Sequence, residues 1–231
     1  KEKKKETDEN KVQQREPSIR VLLTDSSWQS CYHPSVTIEQ KGKEHTYTPD
    51  SQELQNDSLL LDGGADGIAI PSIERAQNPP VYYGTLEIKK TAQGLLIINE
   101  LSLEAYLEAV VPSEMPASYE EQALMAQAVC ARTYAVCQMQ ENSLEKYGAD
   151  VDDSVNYQVY NNFGADKRTN KAVQDTKGQI LCQNGEPITA YYFSTSAGRT
   201  STDEIWGADR SAAYLKSVEC DFDQNMPWSS W

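Results

Sequence analysis

The hydrophobic period of this chain changes near residue 100, and that change constrains the fold more than any other feature. Before it, apolar residues form short runs bounded by polar and turn residues, which are typical of β-strands. The runs are 19–23, 36–38, 58–61 and 68–70, followed by a hairpin in which 83–89 and 95–98 flank a short loop containing Gly94. Beyond it, the period becomes helical. The sequence therefore predicts an α+β fold that is mostly β.

Two helices are predicted beyond residue 100. Apolar residues at 103, 106, 107 and 110 recur at i, i+3, i+4 and i+7, which predicts a short amphipathic helix that ends near Val111 because Pro112 follows. Ser118 and Glu121 have the spacing of a capping box and predict the start of a longer helix that runs to about Gln140. The alanines of this helix, at 123, 126, 128, 131 and 135, permit close packing, so we expect it to be central and buried.

Composition excludes several classes of function. The chain carries 21 basic and 35 acidic residues, a net charge of −14, so binding to a phosphate backbone is disfavoured and no nucleic acid partner is expected. The five cysteines are odd in number and form no CxxC pair, which indicates neither a disulfide framework nor a zinc knuckle. The two histidines, His33 and His45, are expected at the surface.

The two ends of the chain differ in character. Residues 1–17 are charged and nearly devoid of apolar side chains, which predicts a disordered tail. Residues 18–231 are predicted to form a single domain, with 18–99 as its mainly β part. No apolar run approaches the roughly 20 residues of a membrane-spanning helix. Because Lys1 is not an initiator methionine, we expect that an upstream segment has been removed, which leaves room for a signal or anchor.

The most informative short segment holds Glu114 between Pro112 and Pro116. Prolines fix φ and restrict the residue before them, so this carboxylate is expected on a stiff connector between the two helices. The apolar neighbours Val111 and Met115 favour a raised pKa, which a general acid needs near neutral pH. By local pattern alone, however, a solvated loop glutamate is strongly favoured over a general acid.

A longer set of motifs resembles the stage II sporulation protein D family, which is related to amidase enhancer domains. Two of these motifs are long and specific, and the others are short. In chain order they are V-P-S-E-M-P at 111–116, A-Q-A-V-C-A-R-T-Y-A at 126–135, Q-V-Y at 158–160, F-S-T-S-A-G-R-T at 193–200, W-G at 206–207 and Y-L at 214–215. The resemblance extends from about residue 19 to the end of the chain.

This resemblance implies a lytic transglycosylase that cleaves denuded glycan strands of peptidoglycan. Its catalytic acid/base would be Glu114, and the sugar's own C6 hydroxyl would act as the nucleophile, so that the product is a 1,6-anhydromuramoyl end. The alternative from another class is a non-catalytic wall-binding module that stimulates an amidase. A hydrolase is a second alternative, but it needs another carboxylate near Glu114. The available carboxylates are those of Glu108, Glu120, Asp150 and Asp152.

Arg132, Tyr160 and Tyr214 are candidate substrate-binding residues within the resembling segments. Arg132 could bind a sugar or lactyl carboxylate, or it could form an ion pair that ties the helix to an acidic loop. Tyr160 and Tyr214 could stack on sugar rings, although core packing is the common role of such residues.

Ser194, Ser196 and Thr200 complete the candidate substrate-binding set. The dipeptide Asn184-Gly185 predicts a hairpin between strands at 179–182 and 188–194. If the second strand extends far enough, Ser194 and Ser196 share one face of it, where hydroxyl groups could bind sugars. The alternative is ordinary turn chemistry.

The sequence departs from the family at one point. Some members bind zinc through a cysteine and a histidine–cysteine pair just before the Q-x-Y motif, whereas Asp152, Asn156 and Tyr157 stand at the corresponding positions here. Zinc prefers thiolate and imidazole ligands, so neither zinc nor any other cofactor is expected. Cys130 and Cys137 cannot replace that set, because they lie about 10 Å apart along one helix.

The resemblance also implies a cellular setting. The partners would be peptidoglycan glycan strands and the sister stage II sporulation proteins P and M, during engulfment in a spore-forming bacterium. The full-length protein would be extracytoplasmic and would contact the membrane only through an N-terminal anchor that this chain lacks.

Overall fold

The computed structural model describes residues 16–162, 164–200, 214–223 and 226, and the elements named below belong to these residues. The strands come mainly before residue 102 and the helices mainly after it. In chain order the strands are β1 (Ser18–Leu23), β2 (Val36–Gln40), β3 (Lys43–Tyr47), β4 (Ser58–Asp62), β5 (Ile68–Ala69), β6 (Val81–Tyr82), β7 (Thr85–Thr91), β8 (Gly94–Ser102), β9 (Val151–Asp152), β10 (Cys182–Gln183) and β11 (Glu186–Pro187). The helices are α1 (Leu103–Glu114), α2 (Glu121–Glu141) and α3 (Lys167–Asp175). The predicted α+β fold with more strands than helices is confirmed.

A five-stranded sheet in the order β4-β7-β8-β1-β9 supports the helices. Its central strand β8 is flanked on both sides by antiparallel partners, so its nearly continuous apolar sequence is buried on both faces. Leu95 and Ile97 join the main core, whereas Leu96 and Ile98 pack with Leu22 on the other face. The predicted hairpin at residues 83–98 is β7–β8, and Gly94 opens its second strand.

A smaller sheet in the order β3-β2-β5-β6 completes the β-rich part. Its inward side chains, which include Val36, Ile38 and Ile68, belong to the same hydrophobic core as the five-stranded sheet. His33, expected at the surface, is instead 4% exposed, and its Nε2 lies 3.0 Å from the carbonyl oxygen of Leu23. The backbone pairing of His33 with Leu95 draws the ring inward, and this burial lowers its pKa. His45 is half exposed, as predicted.

The two predicted helices exist, but both boundaries between them differ from the prediction. Helix α1 continues through Pro112 to Glu114, because a proline in the last turn removes one backbone donor without ending the turn. The hydroxyl of Ser113 donates to the Ala109 carbonyl (2.7 Å) and supports that turn. The prediction of a capping box at Ser118 and Glu121 is wrong, because α2 begins after Glu120 and Glu120 makes no side-chain capping bond. The predicted end near Gln140 is confirmed, and α2 packs against α1 and α3.

One segment, residues 151–162, joins the β-rich part to the helices. It begins as β9, which pairs in parallel with β1. Asp153 accepts bonds from Thr24 and Arg75, the Tyr160 hydroxyl donates to Asn99 Oδ1 (2.9 Å), and the Asn162 amide exchanges two bonds with the backbone of Val81. We call residues 151–162 the linking segment.

Two features concern the remainder of the chain. The hairpin at Asn184-Gly185 is confirmed as β10–β11, but its second strand is only Glu186–Pro187, and residues 188–194 are not in a strand. In the described part of the chain, no helix combines the length and the apolar character that crossing a membrane requires.

Candidate functional site

Glu114, the last residue of α1, lines an open groove of about 430 Å³. The groove wall comes from the end of α1, the loop that follows it and the start of α3. The other lining residues are Pro112, Ser113, Met115, Pro116, Ala117, Gly164 and Asp166. Arg168 on α3 fixes the loop, because its guanidinium donates to the carbonyls of Ala117 (2.6 Å) and Tyr119 (2.7 Å).

The Glu114 carboxylate is half buried and has two donors from distant parts of the chain. The backbone N–H of Val159 donates to Glu114 Oε1 (2.7 Å), and the hydroxyl of Tyr192 donates to the same carboxylate. Burial raises the pKa of Glu114, while both hydrogen bonds oppose that rise. Such a carboxyl can hold a proton nearer neutral pH than a solvated glutamate, and its charged form still has two donors.

A short chain of side chains sets the direction of the Tyr192 hydroxyl. Gln158 Nε2 donates to the Tyr192 oxygen (3.0 Å) and to the Ala131 carbonyl (3.2 Å), and the buried Tyr106 hydroxyl donates to Gln158 Oε1 (3.3 Å). Because the Tyr192 oxygen accepts from Gln158, its own proton is directed to Glu114. Burial and the neighbouring carboxylate raise the pKa of Tyr192, so it stays a neutral donor. Sequence reasoning missed Tyr192, because nothing in Tyr191-Tyr192-Phe193 shows which ring faces Glu114.

Arg132 does not reach this groove. Its side chain is 1% exposed and forms a buried ion pair with Glu104 of α1 (2.7 Å and 2.9 Å). Further bonds to the carbonyls of Val173 and Gln179 join α1, α2, α3 and the loop after α3. The predicted ligand-binding role is therefore wrong for this conformation. The alternative, an ion pair, is present, but its partner lies on a helix.

Tyr160 also lies in the core. It is 2% exposed and packs between Tyr82 and Tyr106, so it cannot form the predicted stacking platform in this conformation. Tyr214 is partly exposed, and its hydroxyl accepts from the N–H of Thr189 (3.3 Å), which leaves its stacking role a prediction.

The three hydroxyl residues are not aligned on one strand face. Ser196 is buried, and both its N–H and its hydroxyl donate to Asp223. The Thr200 hydroxyl accepts from the N–H of Val218 (2.8 Å). Ser196 and Thr200 therefore bond to residues 27 and 18 positions away, which is neither the predicted strand face nor local turn chemistry. Ser194 is exposed, and its role in binding stays a prediction. The expected strand is absent because residues 188–194 have no ladder partner.

None of the four carboxylates that a hydrolase could use lines the groove. Glu108 accepts hydrogen bonds from the side chains of Asn170 and Gln174 on α3. Asp150 accepts from the backbone N–H of Arg20, and Asp152 accepts from the hydroxyl of Ser154. Glu120 precedes α2 and is exposed. Asp166 does line the groove, although its Oδ1 is committed to the first N–H groups of α3. No spacing in the sequence points to Asp166.

The described residues contain no group of three or more histidine, cysteine, aspartate or glutamate side chains placed to hold a metal ion. Asp152 directs its carboxylate to the N–H and hydroxyl of Ser154, and Asn156 and Tyr157 follow in the linking segment. The absence of zinc stays a prediction.

Together these features define a class: an α+β protein with a half-buried glutamate, Glu114, in an open groove. Residues 91–182, which include Glu114, both long helices and Gln158, match the family model described as Stage II sporulation protein (SpoIID). The chain is thus similar to the stage II sporulation protein D family over this segment, and the resemblance found in its motifs is confirmed.

Curated relatives agree with that assignment. The chain is 40% identical over 124 residues to an amidase enhancer of Bacillus subtilis, and 38% identical over 144 residues to stage II sporulation protein D of the same organism. These segments cover 53% and 56% of this chain, but only 16% and 42% of the two relatives. An uncharacterized protein of Brachyspira hyodysenteriae is 34% identical over 172 residues, which is 71% of this chain and 43% of that protein. The matched segments thus span less than half of each relative.

Proposed function

We propose that this protein is a peptidoglycan lytic transglycosylase in which Glu114 is the acid/base. The observation that carries the proposal is the setting of Glu114: a half-buried carboxyl with a raised pKa, at a groove, with two donors fixed by other parts of the fold. Similarity to the family supports the coarser statement, a role related to the sporulation cell wall.

In this proposal the protonated Glu114 donates its proton to the glycosidic oxygen as the C1–O bond breaks. The carboxylate left behind is stabilised by the Val159 N–H and the Tyr192 hydroxyl. It then accepts the proton of the C6 hydroxyl as that oxygen bonds to C1, which regenerates the acid. One carboxylate therefore serves both steps, and no water is consumed.

Digestion of denuded glycan strands in ¹⁸O-labelled water tests this chemistry. We expect anhydro ends that are lighter than reducing ends by one water and that carry no label, as measured by mass spectrometry. Labelled reducing ends as the main product would mean that water attacks C1. In that case Asp166, which shares the groove with Glu114, is the carboxylate to examine as the activating base.

A second function, stimulation of an amidase without catalysis, is favoured by one observation: the 40% identity to an amidase enhancer. The two functions separate when the purified chain is incubated with glycan strands and no amidase. Anhydro products support the transglycosylase. Their absence, together with equal stimulation of an added amidase by the wild type and by Glu114→Gln, supports the binding module.

The Tyr192→Phe variant tests how Glu114 is tuned. Loss of the hydroxyl removes a donor to the carboxylate, so the pKa of Glu114 rises further and the basic limb of the pH–rate profile moves to higher pH. The maximal rate falls roughly tenfold, because the ionised form loses a charge-assisted hydrogen bond. Tyr83→Phe, which removes a hydroxyl from a 54% exposed ring between β6 and β7, is the matched control. A basic limb that does not move would contradict this role of Tyr192.

We further propose that the protein acts outside the cytoplasm during engulfment, anchored to the membrane by an N-terminal segment and together with stage II sporulation proteins P and M. Similarity to the family supports the sporulation context of this proposal. Membrane fractionation of the full-length protein, and its co-purification with the two sister proteins, would test it. Recovery in the cytosolic fraction alone would contradict the location.

A further inference from the structure

A second cavity of about 420 Å³ lies beside the acid–base site, within the size range of small-molecule sites. Its lining residues are Trp28, Gln29, Ser154, Val155, Asn156 and Val159. Val159 connects it to the first site, because its N–H donates to Glu114 and the same residue lines the second cavity. A polymer bound at Glu114 thus has a second cavity within reach.

The Trp28 ring is held in place from several directions. The backbone of Trp28 has a φ of 61°, which is a strained conformation for a bulky residue. The backbone N–H of Trp28 donates to the Asp25 carbonyl (3.0 Å). The guanidinium of Arg75 lies 4.0 Å from the centre of the indole ring, and Arg75 is itself fixed by a fully buried ion pair with Asp153 of the linking segment. The indole is therefore a rigid part of the cavity wall.

The chemistry of the lining selects the type of ligand. None of the six side chains is charged, although the chain as a whole has a net charge of −14. The indole and two valines supply apolar surface, and Gln29 and Asn156 supply amide groups, whereas the Ser154 hydroxyl is bonded to Asp152. A pyranose ring has the matching character, with an apolar face of C–H groups and a rim of hydroxyl and N-acetyl groups.

We propose that this cavity, the Trp28 cavity, is a subsite that binds one sugar ring of the glycan strand away from the bond that Glu114 breaks. The identity of the ligand rests on the proposed function. Trp28 and Gln29 lie outside residues 91–182, whereas the other four lining residues lie within them, so the subsite combines matched and unmatched parts of the chain. The β-rich part would then bind substrate as well as support the helices.

The subsite is tested by binding rather than by cleavage, in the Glu114→Gln background and with denuded glycan oligosaccharides of increasing length. Adding Trp28→Ala is expected to weaken binding of the long chains on the order of tenfold, as loss of a buried aromatic anchor does, and to leave the shortest chains unaffected. Trp28→Phe should retain most of the affinity. Titration calorimetry gives the dissociation constants.

Two further variants separate loss of the subsite from loss of folding. Val155 is 84% exposed, so Val155→Glu places a bulky, negatively charged group at the cavity without disturbing the core, and it should reproduce the loss for long chains. Tyr83→Ala removes a half-exposed ring elsewhere and should bind like the parent. Equal affinities of the parent and both cavity variants at every length would overturn the subsite, as would absence of glycan binding.

The outcomes also distinguish this inference from the proposed function. A length-dependent loss on Trp28→Ala, together with no anhydro product from the wild-type protein, would leave the subsite standing and refute the transglycosylase. If the wild type releases anhydro products but substitutions of Trp28 and Val155 leave the long-chain affinity unchanged, the transglycosylase stands and the subsite is refuted.

Discussion

Glu114→Gln should abolish glycan cleavage while leaving the fold intact. The amide has the shape of the carboxyl and can still accept the Val159 N–H, but it cannot deliver a proton. General acid–base assistance typically contributes 10²–10⁴-fold, so the rate of anhydro-end release should fall by at least about 100-fold. Chromatography of products under single-turnover conditions measures the effect.

The same substitution should not lower the melting temperature, although it abolishes activity. Because burial raises the pKa of Glu114, ionisation costs folding free energy as the pH rises through that pKa, whereas below the unfolded-state pKa there is no such cost. At neutral pH the uncharged variant should therefore melt at the wild-type temperature or slightly above it. Glu145→Gln, an exposed glutamate after α2, is the matched control and should change neither quantity. Wild-type activity in Glu114→Gln would remove this residue from its role.

Arg132→Met should destabilise the protein strongly. It leaves Glu104 buried without its partner and removes donors from the carbonyls of Val173 and Gln179. Breaking a buried ion pair typically costs about 3–5 kcal/mol, which lowers the melting temperature by roughly 10 °C in a chain of this size. Arg199→Met, which breaks an exposed pair with Glu219, should cost less than about 1 kcal/mol. Thermal and denaturant unfolding of both variants measures the difference.

A double substitution separates the charge effect from lost packing. Glu104→Leu combined with Arg132→Met removes both charges, so it should recover part of the stability lost in Arg132→Met, although the two carbonyls still lack donors. If Arg132→Met is no more destabilising than Arg199→Met, then the Glu104–Arg132 pair does not hold the helices together.

Local patterns predicted most of the fold. The strand runs, the two hairpin turns and the two long helices follow from hydrophobic period and turn residues, which depend on neighbours a few positions away. The predictions from Pro112 and Ser118 were wrong because such signals are preferences, which the packing of α1 and α2 against each other and against α3 can outweigh.

The candidate site could be predicted only in part. Glu114 is prominent in the sequence because prolines flank it. Its donors, Val159 and Tyr192, lie 45 and 78 positions further along, where no local pattern connects them to it. The burial of Arg132 and His33 was missed for the same reason. Whether a polar side chain enters the core depends on a distant partner that satisfies it, and sequence period carries no record of that partner.

The linking segment also imposes an order on the assembly of this protein during synthesis. The β-rich part leaves the ribosome first, yet it contains buried groups whose partners are synthesised much later. Arg75 can form its ion pair only after Asp153 is made, and Asn99 can accept its hydrogen bond only after Tyr160 is made. Until residues 151–162 emerge, the guanidinium has no counter-charge and the sheet lacks its fifth strand. The same few residues then complete the Trp28 cavity and supply the N–H that binds Glu114. Addition of the fifth strand and placement of the first donor to Glu114 thus depend on the same segment, whereas the second donor, Tyr192, is synthesised 30 residues later.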